Sequence, residues 1–236
     1  MNDDTVISYC FLQDIIRIRK KIKMTIAFLG DSITLGYGLD NREDRYSTLL
    51  CKALGMMELN FGITGTLVAK AGLNQSDQKD FLSRVQLIDD ADIAVIFGGT
   101  NDYFWSDTPI YGQDDRFFEY AVEKLAMRIE ERRRTRLTLF VTPYPHNGIG
   151  NYFGGECWNN SNRHDTSERN YNGHILKDYV DVIEAVCNKN NIPCLNLFED
   201  FGFRWQKHTI DGCHPNESGH LLIANAIKRK LEKIRF

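Results

Sequence analysis

The chain has 236 residues, a formal net charge of −3, 42% hydrophobic residues and 26% charged residues. That length suits one large domain or two small ones with a full core, and the composition is ordinary for a globular protein. The balance of charge gives no reason to expect nucleic acid as a partner, and no apolar stretch approaches the roughly 18 residues that would suggest a membrane span.

The chain begins with a segment, residues 1–23, that precedes the first predicted strand. Its acidic opening, short apolar stretch and later basic run are not in the order of a secretory signal peptide. We therefore predict an extension over 1–23 and a single domain over 24–236. The extension is either loosely docked or a helix packed on the domain or on a second subunit, which leaves homo-oligomer formation open. The apolar residues that share its helical face are Phe11, Ile15, Ile18 and Ile22.

The first predicted strand, Met24–Leu29, runs directly into the polar stretch GDSITLG at 30–36. Its glycines fit neither G-x-G-x-x-G nor G-x-x-x-x-G-K-[ST], so a standard nucleotide site is disfavoured. The hydrolase elbow G-x-S-x-G is absent as well. Ser32 is then either a helix cap or a nucleophile, and a nucleophile requires a base and an oxyanion hole elsewhere in the chain.

Two further predicted strands also end in polar turns. Glu58–Phe61 leads into NFGITG at 60–65, and Ile93–Phe97 leads into GTND at 99–102. Gly62 has no side chain to keep a substrate oxygen from its backbone N–H, and the side chain of Asn101 is a neutral N–H donor. Each residue alone is a standard turn residue. Because ligands bind at the carboxyl ends of strands in open α/β sheets, the two together suggest an oxyanion hole.

The remaining elements continue an alternation of strands and helices. This alternation predicts a three-layer α/β/α sandwich around a parallel sheet. A long Gly- and Asn-rich loop, Asn147–Arg163, interrupts it, and such a loop is usually either functional or mobile. The predicted strands are Leu137–Thr142 and Cys194–Phe198, and the helical repeats run through Phe118, Val122, Leu125 and Ile129, through Ile175, Tyr179, Ile183 and Val186, and through Ile223, Ile227, Leu231 and Ile234.

The turn before the last helix, DGCHPN at 211–216, contains an aspartate three residues before a histidine. An Asp211 oxygen can bond Nδ1 of His214 within one turn and leave Nε2 facing a serine. Taken alone, such a pair is more often a turn and capping interaction. No other histidine has a comparable carboxylate, and His220, on the last helix, is interpreted as structural.

The six cysteines are scattered, with no C-x-x-C pair and no zinc-type spacing. They are typical of reduced, packed thiols in a reducing compartment, and we predict a cytoplasmic protein. Cys213 lies between Asp211 and His214, and we interpret it as packing because a thiol nucleophile would need its own base.

The four polar blocks together resemble the SGNH-hydrolase superfamily, also called GDSL esterases and lipases. The blocks are GDSIT at 30–34, Gly62 in NFGITG, GTND at 99–102 and DGCHPN at 211–216, and they occur in the order of that family. The resemblance spans residues 24 to 234. It departs from the name-giving motif Gly-Asp-Ser-Leu at position 33, where isoleucine replaces leucine.

The resemblance implies a flavodoxin-like fold with a five-stranded parallel sheet in the order 2-1-3-4-5. It also implies that Ser32 is the nucleophile, His214 the base and Asp211 the residue that orients the base. The oxyanion hole would consist of the N–H groups of Ser32 and Gly62 and the side chain of Asn101, with the dipole of the helix behind Ser32 adding to it. No metal or other cofactor is implied.

Several further residues are candidates for shaping the site or contacting the substrate. Asp31 and Asp102 either shape or polarise the site or cap turns by accepting backbone hydrogen bonds. Aromatic walls suit a sugar ring or a short acyl chain, although each of these residues is as readily core. The candidate substrate-binding residues are Asp31, Tyr103, Phe104, Trp105, Tyr144 and Trp158, with Cys157 beside the last.

The function that these features favour is a metal-independent serine esterase that acts on small acyl esters, with acetyl or short-chain groups preferred because no long apolar lid helix is evident. Similar proteins include carbohydrate deacetylases, lysophospholipases and thioesterases, so the last two remain alternatives. A non-enzymatic binding module would show a damaged motif. A metal-dependent phosphoesterase that uses Asp31, Asp102 and His214 would need further ligands.

Overall fold

The computed structural model describes residues 23–70, 80–131, 137–146, 169–199 and 201–234. The predicted extension lies outside these residues except for Lys23, and the loop 147–163 with its candidate Trp158 lies outside them entirely.

Five parallel strands form one sheet in the order β2-β1-β3-β4-β5, which confirms the predicted fold. Each side chain of a strand points to the face opposite that of its neighbour, and here both faces are buried, which explains the nearly continuous apolar runs. The strand order reverses beside β1, and this switch point is where α/β sheets bind ligands. The strands are β1 (Thr25–Gly30), β2 (Met57–Gly62), β3 (Ile93–Phe97), β4 (Leu137–Val141) and β5 (Cys194–Leu195).

Helices cover both faces of the sheet. Those with an apolar stripe at helical spacing pack on the sheet, and the shorter ones form turns at its edges. The α-helices are α1 (Ser32–Leu35), α2 (Tyr46–Leu54), α3 (Phe81–Arg84), α4 (Thr100–Trp105), α5 (Phe118–Glu130), α6 (Leu176–Lys189), α7 (Trp205–His208) and α8 (Glu217–Lys233), and short 3-10 helices cover Arg42–Asp44 and Val85–Ile88.

Two hydrophobic clusters form the core, one on each face of the sheet. Ala27 and Leu29 of β1 belong to the cluster beneath α5 and α6, whereas Ile26 and Phe28 belong to the cluster beneath α2 and α8. Because both clusters pack on the same strand, the carboxyl end of β1 is fixed from both sides.

The last strand is shorter than the predicted Cys194–Phe198. It ends at Leu195 because Asn196 turns the chain, its side-chain oxygen accepting a hydrogen bond from the backbone N–H of Phe198 at 2.8 Å. The hydroxyl of Thr142 accepts the N–H of Leu197 at 2.9 Å. Side chains therefore replace the strand ladder after two residues.

Within the part of the chain that the structure describes, no helix is both long and apolar enough to cross a membrane.

Candidate active site

The chain leaves β1 through a single turn that presents Ser32. The side chain of Asp31 accepts the N–H of Ile33 at 2.9 Å and so caps α1, which ends after four residues because Gly36 adopts a left-handed φ of 79°. A helix of one turn has few aligned peptides, so the expected dipole contribution to an oxyanion is small. The turn therefore acts mainly by positioning Ser32, which it holds directly after a buried strand.

Ser32, His214 and Asp211 form a continuous chain of hydrogen bonds. Nε2 of His214 lies 2.9 Å from Oγ of Ser32, and Nδ1 lies 2.6 Å from Oδ2 of Asp211. Burial would raise the pKa of Asp211, but the hydrogen bond and charge of His214 outweigh it and hold that pKa below its ordinary value. The carboxylate therefore stays ionised, accepts the Nδ1 proton and leaves Nε2 free to accept the serine proton.

The loop that carries the histidine is closed on itself and tied to the sheet. Oδ1 of Asp211 accepts the backbone N–H of His214 at 2.7 Å, and the N–H of Ile210 donates to the carbonyl of His214 at 2.8 Å. The hydroxyl of Tyr144, which follows β4, donates to the carbonyl of Cys213 at 2.7 Å. These bonds fix the orientation of the imidazole from both sides.

Tyr37, which is not among the residues predicted for the site, contacts His214. Its ring centroid lies 4.6 Å from that of His214, with the planes tilted by 43°. The residue follows Gly36, and its N–H donates to the carbonyl of Ser32 at 3.0 Å. A tyrosine directly after the glycine that ends the nucleophile turn is the only signal that the sequence offered.

Gly62 lies against the nucleophile turn, but its amide has another partner. A Cβ at this position would be 2.3 Å from the backbone nitrogen of Leu35, so only glycine allows β2 and α1 to approach so closely. Its N–H donates to Oδ1 of Asn60 at 3.0 Å, while Nδ2 of Asn60 donates to the carbonyl of Thr34 at 2.7 Å. The amide of Gly62 therefore points toward the α2 side of the sheet edge and is engaged there.

Asn101 instead contacts the turn that follows β2. Its Nδ2 donates to the carbonyl of Thr66 at 3.0 Å, and the side chain is buried in α4. The same turn contains Gly65, which is exposed and has a φ of 75°. The amide of Asn101 therefore bonds to the turn that contains Gly65 and Thr66.

The two buried aspartates beside the site accept backbone hydrogen bonds. Asp31 caps α1, and Asp102 accepts the N–H groups of Val68 and Ala69 at 2.9 and 3.0 Å. Burial raises the pKa of Asp31 to about 6, against the hydrogen bond from Ile33 and the charges of His214 and Arg84. Burial likewise raises the pKa of Asp102 to about 7. Both contacts agree with the structural interpretation of these carboxyl groups.

The candidate aromatic residues that the structure describes do not lie together on a surface. Tyr103 and Tyr144 are 3% and 1% exposed, so in this structure neither offers a face to a substrate. Phe104 is also buried, and Trp105 alone of the described candidates is partly exposed. Tyr103 and Phe104 belong to the hydrophobic cluster beneath α5 and α6, and the ring centroid of Tyr103 lies 6.1 Å from that of Tyr179 in α6. Cys213 is buried, and burial holds its pKa well above the ordinary value of a thiol, in agreement with a packing role.

The sequence profile of the GDSL-like Lipase/Acylhydrolase family matches residues 28–222. This chain belongs to that family. The match contains Ser32, Asn101 and the Asp211–His214 pair. Among curated proteins, no sequence is significantly similar to the chain.

Several solved structures have a fold similar to that of this chain. A protein from Lactobacillus plantarum is 27% identical, with a TM-score of 0.74 over 91% of this chain and 99% of its own. A carbohydrate acetylesterase family member from Sinorhizobium meliloti is 17% identical, with a TM-score of 0.65 over 89% and 98% of the two chains. An acetyl xylan esterase is 21% identical, with a TM-score of 0.60 over 90% and 100%. The last two likenesses show the fold alone.

The described residues contain no group of three or more His, Cys, Asp or Glu side chains that could hold a metal ion.

Proposed function

We propose that this GDSL-like acylhydrolase is a serine esterase that works through an acyl-enzyme intermediate. The observation that carries the proposal is the hydrogen-bond chain from Ser32 Oγ through His214 to Asp211, with lengths of 2.9 and 2.6 Å. A serine hydroxyl is a weak nucleophile until a base takes its proton, and this chain supplies the base and its orienting carboxylate.

The first half-reaction transfers the acyl group to the enzyme. Oγ of Ser32 attacks the ester carbonyl carbon while Nε2 of His214 takes the hydroxyl proton, and the carbonyl oxygen becomes an oxyanion. The tetrahedral intermediate then collapses, the carbon–oxygen bond to the alcohol breaks and His214 returns the proton to the departing alcohol. In the second half, water attacks the acyl-enzyme in the same way, which releases the acid and restores Ser32.

The oxyanion requires N–H donors beside Ser32. The N–H of Ser32 and the side chain of Asn101 remain the proposed donors, because a primary amide has two hydrogens and Thr66 accepts only one. Sequence reasoning assigned the remaining donor to Gly62. Because Asn60 engages that amide, we assign the backbone donor to Gly65 in the turn beside Asn101.

Replacement of the nucleophile tests the activity directly. Ser32→Ala should lower kcat on p-nitrophenyl acetate by several orders of magnitude and leave thermal unfolding nearly unchanged, because only a hydroxyl is removed. Wild-type protein should also react covalently with a fluorophosphonate, and Ser32→Ala should not. A folded Ser32→Ala protein with near-wild-type turnover would refute the serine mechanism. Activity lost in EDTA and restored by a divalent metal would instead favour a phosphoesterase.

For the substrate, we assign short-chain acyl esters, with acetylated carbohydrates first. The support is the pair of fold neighbours named for acetyl esters. The predicted aromatic wall now supports this assignment through Trp105 alone, because Tyr103 and Phe104 are buried.

A series of p-nitrophenyl esters tests the chain-length preference. Each buried methylene contributes about 0.8 kcal/mol, so an open apolar channel makes kcat/KM rise with acyl length, whereas a closed pocket gives a maximum at acetyl to butyryl. We expect the early maximum, with kcat/KM measured below the micelle concentration of each ester. A maximum at octanoyl or beyond would point to a lysophospholipase or thioesterase.

A further inference from the structure

Arg84, the last residue of α3, inserts a guanidinium beneath the carboxyl edge of the sheet. The residue is 6% exposed. Its Nη1 donates to the carbonyl of Phe61 at 2.5 Å, and its Nη2 donates to the carbonyl of Gly30 at 3.2 Å and to the hydroxyl of Thr66 at 3.0 Å. One side chain therefore holds three separate backbone segments.

The three acceptors belong to the segments from which the proposed site is built. Gly30 ends β1, two residues before Ser32. Phe61 lies near the end of β2, where Gly62 packs on the nucleophile turn. Thr66 ends the turn whose carbonyl binds Asn101. The guanidinium of Arg84 therefore bonds to all three of these segments.

The charge of this guanidinium also acts on the residue that caps the Ser32 turn. Arg84 and Asp31 interact electrostatically, and Asp31 is the cap of the turn that carries Ser32. A buried cation is costly unless it is paired and hydrogen-bonded, and a planar fork with five donors satisfies several acceptors at once in a way that an ammonium cannot. Replacement of Arg84 by an apolar residue would leave buried acceptors on all three segments without this donor, so the side chain contributes to stability as well as joining the segments.

We infer that Arg84 is a positioning residue for ester hydrolysis, which sets the spacing between the nucleophile turn and the backbone of the oxyanion hole. This inference rests on the proposed esterase activity. Arg84 acts through Gly30, Phe61 and Thr66 rather than on the substrate, so its loss should affect the transition state more than substrate binding. A misplacement of about 1 Å at reacting groups costs up to about a hundredfold in rate.

The test compares Arg84→Met and Arg84→Lys with the wild type on p-nitrophenyl acetate. Arg84→Lys retains the positive charge but lacks the fork, so kcat should fall by about tenfold or more while KM changes by less than about threefold. Arg84→Met should lose at least as much. The rate at which Ser32 reacts with a fluorophosphonate should fall in parallel, since that reaction also builds charge on an oxygen in the hole.

The matched control is Val85→Ala, which truncates a buried neighbour of Arg84 that makes none of these three bonds. It should lower the free energy of unfolding but keep kcat per folded molecule within about threefold of wild type. If Arg84→Met does not fold, Arg84→Lys decides, and a wild-type kcat in that variant overturns the inference. An equal loss of kcat in Val85→Ala would also overturn it. Failure of the esterase proposal itself would be seen separately, as an inactive wild type or an active Ser32→Ala.

Discussion

At the scale of single residues, the proposed oxyanion hole depends on which backbone N–H group donates to the substrate oxygen. The amide of Gly62 donates to Asn60, and Gly65 lies three positions later, in the turn that Asn101 contacts. Of the two glycines in NFGITG, we therefore propose the one beside Asn101 as the donor to the substrate oxygen. Glycine alone in a sequence does not reveal the direction of its N–H.

Replacement of a backbone amide by an ester tests this assignment. Incorporation of glycolate at position 65 removes the N–H without adding a side chain, and kcat should fall by about a hundredfold, with little change in KM, because the donor acts chiefly on the charged oxygen. The measurement is steady-state hydrolysis of p-nitrophenyl acetate.

The same replacement at position 62 is the control. There the lost N–H bonds to Asn60, so kcat should change far less than at position 65. If the large loss occurs at position 62 instead, the donor is Gly62, as the sequence first suggested.

At the scale of elements, the loop that carries His214 is held by the segment that follows β4. The hydroxyl of Tyr144, just after β4, donates to the carbonyl of Cys213 at 2.7 Å. From the sequence, Tyr144 was a candidate for a pocket wall and equally for the core, and its hydrogen bond instead makes it a support for His214. We therefore expect the position of the imidazole to depend on this bond between the segment after β4 and the turn before α8.

Tyr144→Phe removes this bond and retains the ring. A buried carbonyl loses its donor, so the free energy of unfolding should fall by about 1–2 kcal/mol, and kcat should fall because the imidazole is less firmly oriented. Urea unfolding and steady-state kinetics measure the two effects.

Tyr179→Phe is the matched control, since the hydroxyl of Tyr179 is a buried acceptor for Nδ2 of Asn170 at 2.9 Å and touches no residue of the triad. It should cost similar stability and leave kcat per folded molecule unchanged. Wild-type kcat in Tyr144→Phe would mean that the loop keeps its position without this bond.

Much of this arrangement was predictable from the sequence, for identifiable physical reasons. Strand β3 has the predicted bounds, because a run of buried apolar residues between polar turns leaves little choice. Asp211 and His214 were paired because they are close in the sequence. The role of Arg84 was not predictable, since its acceptors lie 18 to 54 residues away and only the folded chain brings them together. The burial of Tyr103 was not predictable either, because the sequence does not distinguish an aromatic residue in a core from one in a pocket wall.

At the scale of the whole molecule, two buried carboxyl groups make stability depend on pH. The pKa of Asp31 is raised from 3.8 to about 6 and that of Asp102 to about 7, mainly by burial. Between pH 3.8 and these pKa values, the two carboxyl groups keep their protons in the folded state but have lost them in the unfolded chain. Stability contributed by these groups is therefore greatest at low pH and decreases as pH rises through about 4 to 7.

Asp31→Asn isolates one of the two groups. The amide oxygen can still accept the N–H of Ile33, but the side chain no longer titrates. We expect the wild type to lose stability relative to Asp31→Asn between pH 4.5 and 6.5, by on the order of 2 kcal/mol. Urea unfolding at several pH values measures the difference. A difference that is constant across this range would show that Asp31 is ionised in the folded protein throughout.

The base lies 182 residues after the nucleophile in the chain, yet the two side chains share a hydrogen bond of 2.9 Å. During translation the segment with Ser32 leaves the ribosome early, and its hydroxyl has no base until residues near 214 have been synthesised and have docked. A nascent polypeptide of this protein therefore carries an inert serine. Covalent labelling by a fluorophosphonate, applied to stalled chains of increasing length, would then report the moment at which the first and last parts of the fold come together.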